Sequence, residues 1–310
     1  MRHVFQVVSA TVLSVVFLFF ASAYILPPTS DVAWVENLYA MKQWRVANMP
    51  EEGPRIFVVG GSEAHYSVSA EQIERETGIP AVNFGTHAGL GWDGHLMMVE
   101  PFLRDGDIVI YSANYYSVEE EGPSQLHSLF MRRNKPLSFF NRPVSEWPEY
   151  FGFAVFDQFL RAVPSAFSLR AANANGVKLN SYGDEAQYNV DKGDLLEPVK
   201  GNVQLVPYLS EAPFGIRKLK AYQNRWEWKG VKLYVYWMAA KDRPEFDTFE
   251  EKRKMRRFGL YAKAYGLPQL NEPYETLLSD EELANGPSHA NSIGRERYTS
   301  ILIERLKQKL

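Results

Sequence analysis

Short apolar runs alternate with helically spaced segments along most of this chain. The runs are rich in β-branched and aromatic side chains, which predicts buried strands at residues 55–59, 81–85, 107–114 and 231–238. Between them, apolar residues recur at helical spacing, most clearly at residues 68–76, 93–104 and 213–228. Strands that alternate with helices predict an α/β fold with a mostly parallel sheet and helices on both faces.

The C-terminal part of the chain adds two further expectations. The run at residues 231–238 is nearly continuous, which favours a place at the centre of the sheet. A final helix is expected from about Ser292. Its expected buried stripe is Ile293, Ile301, Leu302 and Leu306.

The N-terminus carries the longest apolar segment. Residues 4–26 are almost uninterrupted and are long enough to cross a bilayer at about 1.5 Å per residue. Arg2 precedes the segment and Asp31 follows it, so the positive-inside bias places the N-terminus in the cytoplasm. We therefore expect a single-pass protein of the cytoplasmic membrane whose soluble part lies on the extracytoplasmic, periplasmic side. Small residues at Ala21-Ser22-Ala23 leave a cleaved signal sequence as the alternative.

Changes of pattern predict the domain boundaries. Residues 1–27 are interpreted as a transmembrane anchor or signal sequence, residues 28–54 as a membrane-proximal helix and linker, and residues 55–310 as the α/β domain. Within that domain, residues 117–209 lack the regular alternation of strand and helix patterns and are interpreted as an insertion or cap. The insertion is expected to contain a helix at residues 150–163 and a long polar loop at residues 171–201.

Composition excludes several classes of function. The net charge of -3 gives no general attraction to nucleic acid, and none is expected as a partner. The absence of cysteine excludes disulfides, thiolate metal sites and a cysteine nucleophile. The turn after the first strand lacks the third glycine of a dinucleotide fingerprint, and the histidines show no metal-ligand spacing. We therefore expect neither a cofactor nor a metal.

Polar residues that carry chemistry follow the predicted strands. Gly60-Gly61-Ser62-Glu63 ends the first strand, a glycine-containing loop at residues 85–91 ends the second, and Asn114 ends the third. His289 lies in a loop just before the final helix. Ligands and reacting groups of parallel α/β folds collect at this edge of the sheet. A purely structural interpretation stays open, because Gly-Gly-Ser is also a common turn and Asn114 can cap the end of a strand.

The order of these motifs resembles that of the SGNH-hydrolase superfamily. The resemblance covers roughly residues 55–114 and 214–310, and it is closest to the membrane-anchored extracytoplasmic branch. That branch includes the D-alanine transfer protein of teichoic-acid modification and the SGNH-like proteins of alginate acetylation. The resemblance implies an SGNH/flavodoxin-like three-layer α/β/α fold, with an N-terminal transmembrane helix and an inserted cap region.

Residue by residue, the resemblance also implies catalytic roles. Ser62 would be the nucleophile and His289 the general base. The amide of Ser62, an amide in the Gly85 to Gly89 loop and the side chain of Asn114 would form the oxyanion hole. Preorganised donors at that place stabilise the charge that develops during acyl transfer.

The sequence departs from the family where the histidine needs its acidic partner. Asn285 stands four residues before His289, where the family usually has an aspartate. The asparagine amide can orient the imidazole but cannot offset the positive charge of the protonated ring. Replacing the aspartate of a serine triad by asparagine can lower the rate by a factor of about 10⁴. Asp280, or a neighbouring glutamate, could take the role by folding back. His65 and His87 could line the same cleft.

These expectations together favour an anchored O-acyltransferase or esterase, with acetyl as the simplest acyl group. Its substrate would be a cell-surface or exported polysaccharide, and a membrane-bound O-acyltransferase is the partner that the resemblance implies. The alternative is a catalytically weakened SGNH-like subunit that binds polymer or scaffolds a surface-polysaccharide complex. Asn285 and the long insertion support that alternative.

Overall fold

A computed structural model describes residues 2–24, 28–115, 118, 124–134, 178–185, 213–284 and 286–310. The described α-helices are α1 (Arg2–Tyr24), α2 (Ser30–Ala47), α3 (Ser62–Ser67), α4 (Ala70–Thr77), α5 (Gly91–Val99), α6 (Gln125–Asn134), α7 (Phe214–Glu227), α8 (Phe249–Ala264) and α9 (Ser292–Lys307). The described strands are β1 (Ile56–Gly60), β2 (Ala81–Gly85), β3 (Ile108–Ala113), β4 (Lys232–Trp237), β5 (Ala240–Lys241) and β6 (Leu277–Leu278).

The chain divides into two compact units. One comprises Met1–Asn37 and Gly122–Gly176, and the other comprises Leu38–Glu121 and Val177–Leu310. In the first unit α1 packs against α6, and the Arg133 guanidinium pairs with Glu36 at 2.8 Å. Across the described residues, no helix combines the length and the apolarity needed to span a membrane. The N-terminal anchor therefore stays a prediction.

The second unit is built on a parallel four-stranded sheet. Its strand order is β2-β1-β3-β4, and each neighbouring pair runs in the same direction. Every residue of β1, β2 and β3 is buried, as expected for strands covered on both faces. The prediction of an α/β fold with a mostly parallel sheet is confirmed.

Helices cover both faces because the strand side chains alternate. On one face, Val58, Ile110 and Tyr236 share a core with residues of α4 and α9. On the other face, Tyr111 packs on Trp92 of α5, with ring centroids 4.8 Å apart. The sheet therefore separates two apolar layers and presents the carboxyl ends of its strands at one edge.

The position of β4 differs from the prediction. Its apolar sequence favoured the sheet centre, but β4 lies at one end of the sheet. Its outer edge is covered by the chain around residues 268–271: the Val235 amide donates to Pro268 O, and the Asn271 side chain bonds both the amide and the carbonyl of Trp237. Because this segment replaces a neighbouring strand, an apolar strand is buried without being central.

The buried stripe of α9 also differs from the prediction. Leu302 and Leu306 are buried as predicted, together with Tyr298 and Ile303, but Ile301 is only partly buried and Ile293 is 62% exposed. Ile293 is the second residue after the N-cap Asn291, and the first turn of a helix can leave an apolar side chain in solvent.

Residues 178–185 form a tight turn inside the segment that was predicted to be a long loop. Tyr182 O accepts a hydrogen bond from the Asn83 amide and so covers the outer edge of β2. The Asp184 carboxylate accepts the amides of Ala70 (2.8 Å) and Glu71 (3.1 Å) at the start of α4. The helix predicted at residues 150–163 lies outside the described residues.

A buried ion pair at the opposite edge of the sheet generates a stability prediction. Arg55 precedes β1 and binds Asp107, which precedes β3, through two guanidinium bonds of 3.1 and 2.7 Å. Replacing Asp107 by asparagine leaves the Arg55 charge buried without its counter-charge, which should lower the free energy of unfolding by about 3–5 kcal/mol. Urea unfolding of the protein measures this change.

The exposed pair between Lys252 and Asp247 is the matched control. Its atoms are 2.8 Å apart, but the Asp247 side chain is 81% exposed. Asp247→Asn should change the free energy of unfolding by less than about 1 kcal/mol. Equal effects of the two substitutions would contradict the assignment of Asp107 as a stabilising buried partner.

Candidate active site

Ser62 stands at the junction between β1 and α3. It is the first residue of α3, and Gly61 is the N-cap. The turn has no room for side chains: a methyl group on Gly61 would lie 2.8 Å from the Ala88 Cα atom, and one on Gly85 would lie 2.3 Å from the His65 amide nitrogen. The glycines therefore allow α3 to approach the end of β2 at backbone distance.

Asn83 holds α3 in this position. Its side-chain nitrogen donates to Ala64 O (3.1 Å) and Val68 O (2.9 Å), which are carbonyls near the end of the helix. Its side-chain oxygen accepts the Gly85 amide at 2.8 Å. The buried side-chain amide of Asn83 in β2 thus donates hydrogen bonds to backbone carbonyls at the end of the helix that carries Ser62.

His289 lies against Ser62. The distance from His289 Nε2 to Ser62 Oγ is 2.9 Å, within hydrogen-bond reach for a nucleophile and its general base. The ring also packs on Tyr66 of α3, with centroids 4.6 Å apart. Burial lowers the pKa of His289 from 6.5 to about 4. The ring is therefore neutral at physiological pH, the form that can accept the serine proton.

Two side chains position the loop that carries His289. The Ser67 hydroxyl donates to Ser288 O (2.9 Å) and accepts the Ala290 amide (3.0 Å), so it bonds the residues on both sides of the histidine. Asn291 caps α9 by accepting the amides of Ile293 and Gly294. The sequence does not reveal this role of Ser67, because a serine five residues after a nucleophile has no distinguishing pattern.

Glu63 is the most unusual side chain at the site. It is 2% exposed, and its carboxylate accepts the Gly61 amide at 2.8 Å and the Asn114 side-chain amide at 3.3 Å. Burial raises the pKa of Glu63. The sequence alone does not indicate this role, because residue type does not distinguish a buried glutamate in the first turn of a helix from a solvated one.

The predicted oxyanion donors differ in their hydrogen-bond partners. The Gly85 amide donates to Asn83, and the Gly89 amide donates to His87 Nδ1 at 2.9 Å. Neither is therefore assigned to an oxyanion. Asn114 is brought to the β1 turn through its bond to Glu63. The Ser62 amide belongs to the first turn of α3, where a helix provides no acceptor of its own.

The structure gives three other predicted site residues partners of their own. His65 is fully buried, and its Nε2 lies 3.2 Å from a Glu185 carboxylate oxygen; burial lowers its pKa to about 4. His87 accepts the Gly89 amide, and Asp280 is exposed and pairs with Lys241. Asn285 lies outside the described residues.

Nothing in the described part of the chain forms a metal centre. No group of three or more His, Asp or Glu side chains there has the arrangement needed to hold an ion. The arrangement is suited to nucleophilic chemistry. The Ser62 hydroxyl, the neutral His289 imidazole and amide groups lie at the carboxyl ends of β1 and β3.

Comparisons with known proteins add little. No family model matches the sequence, and no curated protein matches it. Among solved structures, a chain provisionally described as a platelet activating factor from Streptococcus pneumonia is similar at 12% identity and a TM-score of 0.41, over 90% of this chain and 94% of that chain. A likeness at this level supports no functional argument.

The lowered pKa of His289 generates a prediction about pH. Protonated His289 cannot accept the Ser62 proton, so the rate of Ser62 acylation should rise with pH and reach half of its plateau at about pH 4. The rate should then be flat through neutral pH. The measurement is the rate of adduct formation with a fluorophosphonate between about pH 3 and pH 8, on protein checked for folding at each pH.

The outcome distinguishes two environments of the ring. An inflection near 6.5 or above would contradict the prediction and would indicate that a negative partner stabilises the imidazolium. His289→Ala should remove the inflection together with most of the rate.

Proposed function

We propose that this protein is a membrane-anchored, extracytoplasmic O-acyltransferase or esterase with an SGNH-like fold. The observation that carries the proposal is the 2.9 Å contact between Ser62 and His289 at the carboxyl edge of the sheet. Residues 227 positions apart in sequence converge there, and the loop of His289 is bonded to the helix of Ser62 on both sides of the histidine. Two residues that met by chance would not be expected to have hydrogen bonds that fix the loop on both sides of one of them.

The first half-reaction is acylation of Ser62. Ser62 Oγ attacks the carbonyl carbon of an acyl donor while its proton passes to His289 Nε2, and the carbonyl electron pair moves onto the oxygen. Amide donors at the β1 turn and Asn114 stabilise that oxyanion. When the intermediate collapses, the bond to the leaving oxygen breaks, and His289 returns the proton to it.

The second half-reaction transfers the acyl group. A sugar hydroxyl or water gives its proton to His289 and attacks the carbonyl carbon of the acyl-serine. The bond between the acyl carbon and Ser62 Oγ then breaks, and Ser62 Oγ takes the proton back from His289. We propose acetyl as the acyl group and a cell-surface or exported polysaccharide as the acceptor. The motif order that resembles the anchored SGNH branch supports both, and it supports a membrane-bound O-acyltransferase as the partner that supplies acyl groups.

A second candidate function is a binding or scaffold subunit with little chemistry. The observation that favours it is the engagement of the acids near His289: Asp280 pairs with Lys241, and Glu282 pairs with Arg297. Neither carboxylate is directed to the histidine. With Asn285 in the usual place of the aspartate, the imidazolium that forms during turnover would be poorly stabilised.

Covalent labelling separates the two functions. The chain from about Pro28 onward is incubated with a fluorophosphonate or an activated acetyl ester and followed by intact mass. We expect a single adduct that is absent in Ser62→Ala and forms at least about 100-fold more slowly in His289→Ala. Ser67→Ala is a useful third variant, because loosening the His289 loop should slow the reaction while leaving Ser62 able to react.

The labelling experiment has a clear negative outcome. A folded wild-type sample that forms no adduct from mildly acidic to mildly alkaline pH would exclude the enzyme proposal. It would leave the scaffold function, for which capture of membrane partners by the full chain is the next measurement.

The anchor is tested separately. The full chain should stay in the membrane fraction after an alkaline carbonate wash, because residues 4–26 carry enough apolar side chains to cross a bilayer. The chain that begins at Pro28 is the control and should be released. Recovery of both chains in the soluble fraction would contradict the anchor, and a shortened mature N-terminus in the full chain would identify a cleaved signal sequence instead.

A further inference from the structure

The outer face of α8 has an unusual composition for a helix face in solvent. Phe249 is 80% exposed and Leu260 is 62% exposed, although both are large apolar side chains. Arg253, Arg256 and Lys263 are exposed on the same helix. At 3.6 residues per turn these five positions fall within an arc of about 80°, on the side away from the buried face of the helix. They are called the α8 stripe below.

The α8 stripe carries positive charge and no acid. The two acids of the helix, Glu250 and Glu251, both pair with Lys254, which lies off the stripe. Lys252, at the border of the stripe, pairs with Asp247 at 2.8 Å. Within the part of the chain that the structure describes, the three basic residues of the stripe form no ion pair. Their charge is therefore available to an anionic partner.

Helix α9 shows the composition of an ordinary exposed face. It has the same length of 16 residues, but Glu296, Arg297 and Glu304 mix both signs of charge on its outer side. The exposed apolar residue of α9, Ile293, lies in the first turn. Leu260 lies in the interior of α8, where no helix end accounts for its exposure. Basic and large apolar side chains without acids are typical of a surface that meets an anionic, partly apolar partner.

Two properties of the stripe favour a bilayer over a dissolved anionic polymer as that partner. The stripe extends for about 21 Å along one uninterrupted helix, which suits a flat surface. Leucine and phenylalanine are buried at the boundary between lipid headgroups and acyl chains, whereas a hydrated polymer gives leucine little to contact. Arginine and lysine can reach the lipid phosphates from the same face, because their apolar stems are long.

We propose that the α8 stripe docks on a bilayer that contains anionic phospholipids. Phe249 and Leu260 enter the headgroup boundary, and the three basic side chains contact lipid phosphates. This contact is additional to the predicted anchor and does not depend on chemistry at Ser62. Phe258 of α8 packs on Trp237 at the carboxyl end of β4, with ring centroids 5.8 Å apart. Docking would therefore also orient the edge of the sheet that carries Ser62.

The absence of cysteine allows a single label to report the contact. Ala264→Cys places a polarity-sensitive dye at the exposed end of α8, beside the stripe. The labelled full chain is reconstituted with vesicles of phosphatidylcholine, or of phosphatidylcholine mixed with phosphatidylglycerol. We expect a blue shift of the emission in the anionic vesicles that is lost at about 1 M salt, where the Debye length falls to about 3 Å. A dye at Glu304→Cys on α9 is the matched control and should emit at the same wavelength in both vesicles.

The combination of Arg253→Gln, Arg256→Gln and Lys263→Gln removes the charge of the stripe. Each basic residue near an anionic surface strengthens binding about 5-fold, so the triple variant should shift the equilibrium from docked to undocked by about 100-fold. The blue shift should then disappear. Because all three positions are exposed, the midpoint of urea unfolding should stay at its wild-type value.

A second triple variant controls for net charge. Lys232→Gln, Lys307→Gln and Lys309→Gln remove the same charge from exposed positions outside α8. This variant should keep the blue shift. An equal loss in the two triple variants would show that net charge alone attracts the protein to the vesicles, and it would overturn the assignment to the stripe.

Phe249→Ser combined with Leu260→Ser tests the apolar half of the stripe. The charge is unchanged, but the blue shift in anionic vesicles should be clearly smaller, because docking then buries less apolar area. An unchanged shift would contradict entry of these side chains into the headgroup boundary.

Other partners give other results. A blue shift with dissolved polygalacturonate that exceeds the shift with vesicles and persists in the double serine variant would assign the stripe to an anionic polymer. A shift without lipid that grows with protein concentration would assign it to a second copy of this chain. Either result, or no shift in anionic vesicles, overturns the inference. The proposed chemistry at Ser62 and His289 would be unaffected, because neither residue takes part in docking.

Discussion

The site depends on how closely α3 approaches the end of β2. At this crossing the backbone of Gly85 lies against that of His65, where even a methyl group would be 2.3 Å from the amide nitrogen. Asn83 then satisfies the helix carbonyls that the approach buries. Ala64 O also accepts the Val68 amide, so loss of the Asn83 side chain would remove a donor chiefly from Val68 O, and an unsatisfied buried carbonyl costs about 1–3 kcal/mol. Ser62 is in place because the last turn of its helix is held by β2.

A buried polar layer extends this constraint to distant parts of the chain. Lys42 of α2 is fully buried and donates to Gly85 O, and burial lowers its pKa to about 7 against the opposing influence of Asp184 and Glu185. Arg295 of α9 donates to Tyr66 O and to Glu185 O, both at 2.9 Å. Charges in such a place are costly unless they are paired or hydrogen-bonded, so another arrangement of these elements would leave them without their acceptors. Here that arrangement connects α2, the turn at residues 178–185, α3 and α9.

The features that could be predicted from sequence are those with a local signal. The four strands have runs of buried residue types, and glycines beside Ser62 mark a tight turn after a strand. His289 was identified because parallel strands bring late loops to the same edge as early ones. Glu63, Ser67 and Asp184 could not be identified in this way. Each acts on a partner whose position depends on the finished fold, and residue type alone does not distinguish a buried acid from a solvated one.

The two errors about burial have the same origin. A strand that is buried on both faces by helices and on its outer edge by an irregular segment has the same composition as a central strand, so the sequence of β4 could not reveal its place. The periodicity of α9 likewise does not say where the first buried turn begins. The segment that covers β4 is irregular, and an irregular segment has no period to detect.

The properties of His289 bear on the kind of donor that Ser62 can use. A pKa of about 4 means that the ring is available as a base across physiological pH but holds a proton weakly. A weak base helps least when the nucleophile must be strongly activated, and most when the carbonyl under attack is already electrophilic. In the proposed reaction an activated acyl group would suit this base better than a simple alkyl ester, and stabilisation of the oxyanion would contribute a larger share of the rate.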